Sequence, residues 1–293
     1  MASLDLNLDD YFADADGTFD EKTCHNYKED KEHLVMKDFL QPDTKMSLQT
    51  ATESLLGFIP EHCKPGSLVA VIHLCANVVP WHHTAHLKLA WLADRLRWSP
   101  KMSPVLGSIK GPKDSYFTMQ CFSDALWMDH ENAENYDPDS QSDLDQWVNF
   151  NAYLANLDAL HFTNGGGETR YGWRTMAYAF RHPGGLESDY RDPNDEAYGR
   201  RGRDANVLAA AQWILWNGQN MRRYAIYPKP PAGSTTSDED YFNLEFAGAS
   251  LEHWQVWKQG FDDARNNDTV SEDVRAVATR AFTLMDVLEK TMP

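Results

Sequence analysis

Between Asp204 and Ile226 the chain reads Asp-Ala-Asn-Val-Leu-Ala-Ala-Ala-Gln-Trp-Ile-Leu-Trp and continues through Gly218 to Ile226. From Val207 to Trp216 the only polar side chain is Gln212, so three successive turns are apolar on every face. That pattern belongs to a helix surrounded by other elements, not to one lying on a surface. Asp204 can cap its first turn by accepting from backbone amides that have no partner within the helix. An apolar run of about ten residues is half what a bilayer span needs. The buried amide of Gln212 must find a partner, because leaving it bare costs about 1–3 kcal/mol. A neighbouring helix or a ligand can provide one.

The same reading predicts helices along most of the remaining chain. They fall at about 27–39, at 47–58 with Ser47 as cap and Pro60 as stop, and at 65–79, where Leu68, Val71, Ile72, Cys75 and Val79 share one face. Further helices are predicted at about 82–97, 118–128, 144–160, 170–181, 251–265 and 271–291. The helix at 144–160 reads as amphipathic, with Trp147, Phe150, Leu154 and Leu157 on one side. Segments 99–115, 182–203 and 228–240 are rich in Pro, Gly and charge and read as loops, and Gly165 to Gly167 reads as a hinge. No alternating run of convincing length marks a strand, and no repeat of 20 to 50 residues marks a solenoid. The expected fold is all-α: an irregular bundle of about nine helices around a central helix at 204–226. Residues 27–293 form one domain in this reading. An acidic, partly ordered tail at 1–26 precedes it, from which Leu4, Leu6, Leu8, Tyr11 and Phe12 can dock on the body.

Composition narrows the function classes. A 293-residue chain that is 42 % hydrophobic and 12 % aromatic, with ten tryptophans, can bury a large aromatic core. Its net charge of −17 repels phosphate backbones and anionic lipid heads, which argues against nucleic-acid and membrane-surface partners. The N-terminal stretch has neither a basic nor an apolar secretory region. Cys24, Cys63, Cys75 and Cys121 form no CxxC pair and no dense framework, which suits reduced thiols in the cytoplasm.

Three stretches together resemble a known family. They are Trp147-Val-Asn-Phe-Asn-Ala-Tyr-Leu-Ala155, Val207-Leu-Ala-Ala-Ala-Gln-Trp-Ile214 with Gly218, and Ser250-Leu-Glu-His-Trp-Gln-Val-Trp-Lys-Gln-Gly-Phe261. They resemble a fungal family known only as domain of unknown function 3632, over roughly residues 45 to 290. The resemblance implies a fungal origin, an all-helical fold and an intracellular protein. Its motifs are aromatic and small-residue helix patterns, and it implies no activity, cofactor or catalytic residue.

Candidate chemistry comes from the residues themselves. His82, His83 and His86 follow Pro80, and His82 and His86 at i and i+4 would project from one helical face. The zincin pattern needs a glutamate where His83 stands, so capping and surface roles after Pro80 are the plainest reading of the cluster, and an acid/base role fits it better than a metal. His73, inside an apolar helix, reads first as a satisfied core histidine. Asn267 to Arg275 resembles the magnesium-binding triad of class I terpene synthases but ends in a cation where a carboxylate is required. Ser271 reads more simply as a helix cap. Arg200, Arg201 and Arg203 precede the central helix, where an anionic group of a ligand can bind. A solvated loop paired with nearby aspartates is the plainer account. No nucleophile elbow, dinucleotide fingerprint or phosphate loop is present.

What remains is an aromatic interior with a few polar groups: Gln212, Asn151, His73, Trp213, Trp216, Trp127 and Trp147. The expected function is a cofactor-free, metal-free enzyme that folds a hydrophobic small molecule and promotes cyclisation or isomerisation. In it Gln212 donates a hydrogen bond and a histidine of the 82–86 cluster acts as acid/base. The tryptophans form the walls, with Asn151, His73 and Arg203 as further contacts. The rivals are a non-catalytic helical interaction module and a metal-dependent, terpene-cyclase-like enzyme.

Overall fold

The structure is a computed structural model and describes residues 3–6, 29–59, 66–102, 137, 140–162, 169–180, 199–227 and 250–292. Among these residues there are nine α-helices and no strand, the all-α multi-helix architecture that the apolar periodicity predicts. In chain order they are α1 (Glu29–Phe39), α2 (Leu48–Phe58), α3 (Gly66–Val78), α4 (Ala85–Arg97), α5 (Gln141–Ala159), α6 (Thr169–Ala179), α7 (Gly199–Ile226), α8 (Leu251–Arg265) and α9 (Glu272–Thr291). A 3₁₀ turn at Pro100–Met102 follows α4. The predicted helix at 118–128, the hinge at Gly165 to Gly167 and the connector at 228–240 lie outside the described residues.

Several helix starts are written locally. The Ser47, Ser140, Ser250 and Ser271 hydroxyls accept from the backbone N–H three residues on, opening α2, α5, α8 and α9. At the other end of α5, His161 adopts a left-handed backbone (φ 52°). Its N–H bonds Asp158 O and the Phe162 N–H bonds Leu157 O, closing the last turn.

α7 runs through the middle, packed by α5, α6, α8 and α9. Trp213 and the alanines around it are sealed from solvent, as a helix apolar on all faces requires. Contacts between α5 and α7 progress in step, Trp147 to Asn206, Asn151 to Trp213 and Asp158 to Asn217, so these two helices lie parallel. α6 runs antiparallel to α5, with Thr175 on Asn151 and Tyr178 beside Trp147. α8 and α9 form an antiparallel hairpin pinned by Lys258, which pairs with Asp286 and Glu289. Leu4 and Leu6 are buried, and Gln41 bonds both the N–H and the C=O of Leu4.

Four sequence expectations need correction. α7 begins at Gly199, so Asp204 does not cap it. Arginine sustains a helix and a glycine inside one is tolerable at about 1 kcal/mol, which lets the helix extend backwards through Arg200, Arg201 and Arg203. Those arginines are exposed positions of the first turns of α7, not a loop before them. The Asp204 carboxylate instead accepts from the Ser271 N–H at 3.1 Å and ties α7 to the start of α9. α5 is not amphipathic in its surroundings: every residue from Trp147 to Asp158 is buried, because α3, α4, α6 and α7 enclose it. α4 starts at Ala85, so His82 and His83 stand in the turn before it.

Candidate functional site

The turn between α3 and α4, with the ends of the helices beside it, holds several of the buried polar atoms that lack partners among the described residues. Pro80 cannot donate, and the chain folds back there through His83 N–H to Pro80 O at 2.8 Å. Thr84 makes no side-chain cap for α4. The His83 Nδ1 takes that role, accepting from the Ala85 N–H at 3.0 Å. That bond leaves Nε2 as the protonated nitrogen of a neutral His83, and Nε2 is buried without a hydrogen-bond partner. His86 points inward, its Nε2 donating to Val79 O at 2.9 Å. Its Nδ1 is therefore a lone-pair acceptor, also buried and unpartnered. Burial drives the His86 pKa down to about 3, with the nearby His83 and His82 adding to the fall. Burial, then His82 and Lys88, also lowers that of His83.

α5 closes the site from the other side. Asn149 donates through Nδ2 to Asn77 O at 2.7 Å, while Asn149 Oδ1 and Asn77 Oδ1 are left without partners. Beside this turn Trp81 packs on a small apolar cluster of Leu144, Trp147, Val148, Ala205 and Ala209. Trp81 also meets the ring of His82 edge-on at 5.1 Å. The result is three acceptors and one donor, all buried, at the edge of an aromatic wall. Such groups recognise a molecule with hydrogen-bonding hydrogens on an apolar body.

Some predicted site residues converge here and others do not. His83, His86 and Trp147 belong to this region; His82 is exposed at its rim, and the shared helical face expected for His82 and His86 does not exist because α4 begins after His82. Trp147, Asn151 and Trp213 are linked in one buried chain. Asn206 accepts from Trp147 Nε1 at 3.1 Å, Asn151 donates to Trp147 O at 2.9 Å, and Asn151 Oδ1 accepts from Trp213 Nε1 at 2.9 Å and Thr175 Oγ at 2.8 Å. Gln212 finds its partners within α7: its Nε2 donates to Leu208 O at 3.1 Å, and its Oε1 accepts from Trp216 Nε1 at 3.2 Å. The interior amide is thus satisfied without a ligand. His73 is a core residue, edge-on to Phe150 and Tyr153. Arg203 is exposed, and Trp127 lies outside the described residues.

The terpene-synthase-like stretch does local work: Asp268 accepts from Arg275 at 3.1 Å and Ser271 caps α9. Among the described residues no three His, Cys, Asp or Glu side chains gather as a metal would require. The Cys75 thiol is buried, and burial pushes its pKa up to about 12. No helix among the described residues is long and apolar enough to cross a membrane. Sequence reading did not single out Asn77 and Asn149. Their signal is an amide inside an otherwise apolar helical run, as at Gln212.

Fold and site together define an all-α protein whose interior is aromatic and whose buried polar groups are mostly amides and imidazoles. The family described as "Protein of unknown function (DUF3632)" matches residues 70–261, and the chain belongs to it. No curated protein and no solved structure matches the chain. The family match covers most of α3, all of α4 to α7 and most of α8, and so contains the whole of the histidine turn and the α5 face that closes it.

Proposed function

We propose that this protein binds a hydrophobic small molecule carrying hydroxyl or amine hydrogens at the α3–α4 turn, and promotes an isomerisation or cyclisation of it there without metal or organic cofactor. The observation that carries this reading is the set of four buried, unpartnered polar atoms, His83 Nε2, His86 Nδ1, Asn77 Oδ1 and Asn149 Oδ1. Each bare buried group costs about 1–3 kcal/mol, and a ligand that supplies the missing partners recovers that free energy as affinity. The roles divide by burial. His86, with a pKa of about 3, stays neutral at physiological pH and serves as a fixed acceptor that orients the ligand. His83 is less enclosed, so the exchange of a proton with a developing charge falls to it. Trp81 and Trp147 supply the apolar wall.

The test compares 1-naphthol with 1-methylnaphthalene, matched in shape and differing in the donor. Binding followed by tryptophan fluorescence is expected to favour the naphthol by about tenfold or more, a preference that vanishes in Asn149→Leu and His86→Phe. Equal affinity for both probes in the unmodified protein removes the recognition step. Once a substrate is in hand, His83→Gln abolishes turnover while leaving its binding within a few-fold; retained turnover removes the acid/base assignment.

A further inference from the structure

Arg222, near the C-terminal end of α7, is 7 % exposed, and its Nε and Nη1 are buried without any hydrogen-bond partner. The guanidinium lies over the ring of Trp254, 5.4 Å from its centroid. An aromatic face attracts a cation but offers no acceptor for the in-plane N–H groups. The adjacent carboxylate is already engaged: Glu289 accepts from Trp254 Nε1 at 3.0 Å and from Gln255 Nε2, and pairs with Lys258. Among the described residues the other ionic pairs of α8 and α9 are likewise closed, Arg265 with Asp262, Lys290 with Asp286 and Arg275 with Asp268. Among the described residues no carboxylate pairs with the Arg222 guanidinium, and two of its three nitrogens are buried without a partner. A lone buried charge is strongly unfavourable, whereas a paired one is tolerated.

We infer that Arg222 anchors a binding site for a small monocarboxylate with an apolar body, a site separate from the histidine turn and independent of the function proposed for it. The ligand class follows from the surroundings. One guanidinium neutralises one negative charge. Glu289, bonded to the indole N–H of the same Trp254, and the net charge of −17 disfavour a phosphate dianion. Ala225, one turn on from Arg222 along α7, is buried and apolar, as is the Trp254 ring, so the rest of the ligand is hydrocarbon. A planar, always-protonated guanidinium is the side chain suited to holding a carboxylate in a desolvated place.

The experiment follows thermal unfolding of the full chain with decanoate, phenylacetate, decanol or inorganic phosphate at constant ionic strength. Arg222→Met and Arg222→Lys are run beside the unmodified protein. The expected result is a Tm rise with decanoate or phenylacetate at millimolar concentration, absent with decanol and phosphate. That rise disappears in Arg222→Met and is reduced in Arg222→Lys. Without any probe, Arg222→Met melts at the same temperature as the unmodified protein or up to roughly 2–4 °C higher, because an unpaired buried charge has been removed. Three outcomes overturn the inference: no carboxylate response in the unmodified protein, the same response in Arg222→Met, or a response to phosphate alone. A marked fall in Tm for probe-free Arg222→Met also overturns it, since the guanidinium is then serving the fold.

Discussion

His86 shows how position rather than residue type sets a side chain's chemistry. In the unfolded chain its pKa is about 6.5, while in the folded protein burial holds it near 3. The folded state therefore resists protonation that the unfolded state accepts. This contribution to stability is complete above the unfolded pKa and is lost as pH falls from about 6.5 toward 3. Between pH 7 and pH 5 the loss amounts to about 2 kcal/mol, and His83, shifted the same way, adds to it. Urea unfolding at the two pH values measures this, and His86→Gln is expected to flatten the dependence; an unchanged slope in that variant assigns the effect elsewhere. Ordinary carboxylates titrate below the pH 7 to pH 5 interval, and Glu32, whose pKa burial raises, is the described carboxylate shifted toward it.

At the scale of elements, the bundle depends on where helices approach closely. Gly172 on α6 faces the Trp213 ring of α7, and a Cβ there would lie 2.7 Å from Cε3 and 2.8 Å from Cδ2. The indole cannot retreat, being fully buried and bonded through Nε1 to Asn151. Gly172→Ala is expected to destabilise the protein by about 1–3 kcal/mol through overpacking. Gly57 on α2 offers the contrast, with nothing within 4 Å of its Cβ position, and Gly57→Ala is expected to stabilise by about 0.5–1 kcal/mol. Opposite shifts of the two urea midpoints would locate the α6–α7 contact as the cause. Stabilisation at both sites would mean that helix propensity dominates at both.

At the scale of the whole molecule, the family match ends at Phe261, yet α9 lies beyond it and is one of the principal neighbours of α7. Asp204 holds its first turn, and Leu284 and Leu288 close over Gly218. A chain shortened to end before Ser271 leaves that face of α7 open to water. It is expected to lose its cooperative thermal transition and near-ultraviolet circular dichroism while keeping helical far-ultraviolet signal. A sharp transition in the shortened chain would show that α9 is an appendage. The −17 charge spread over the chain opposes compaction, and Lys258, placed between Asp286 and Glu289, offsets part of it where α8 meets α9.

The amino-acid sequence by itself determined the elements and the identity of the buried helix. Apolar periodicity and serine caps depend on residues within a few positions of one another, so α2, α8 and α9 were readable almost to the residue, and the apolar run of 207–216 announced a helix enclosed over most of its surface, with Leu208, Leu215 and Trp216 left partly exposed. Gln212 finds its partners four residues to either side on its own helix, Leu208 and Trp216, a spacing present in the sequence. Only the tertiary structure decided the state of the other interior polar groups, among which Asn149, Asn77, His83, His86 and Arg222 keep buried atoms without partners. Satisfaction of a donor or acceptor depends on which distant atoms come within 3 Å of it, and the spacing of residues along one helix carries no record of that distance.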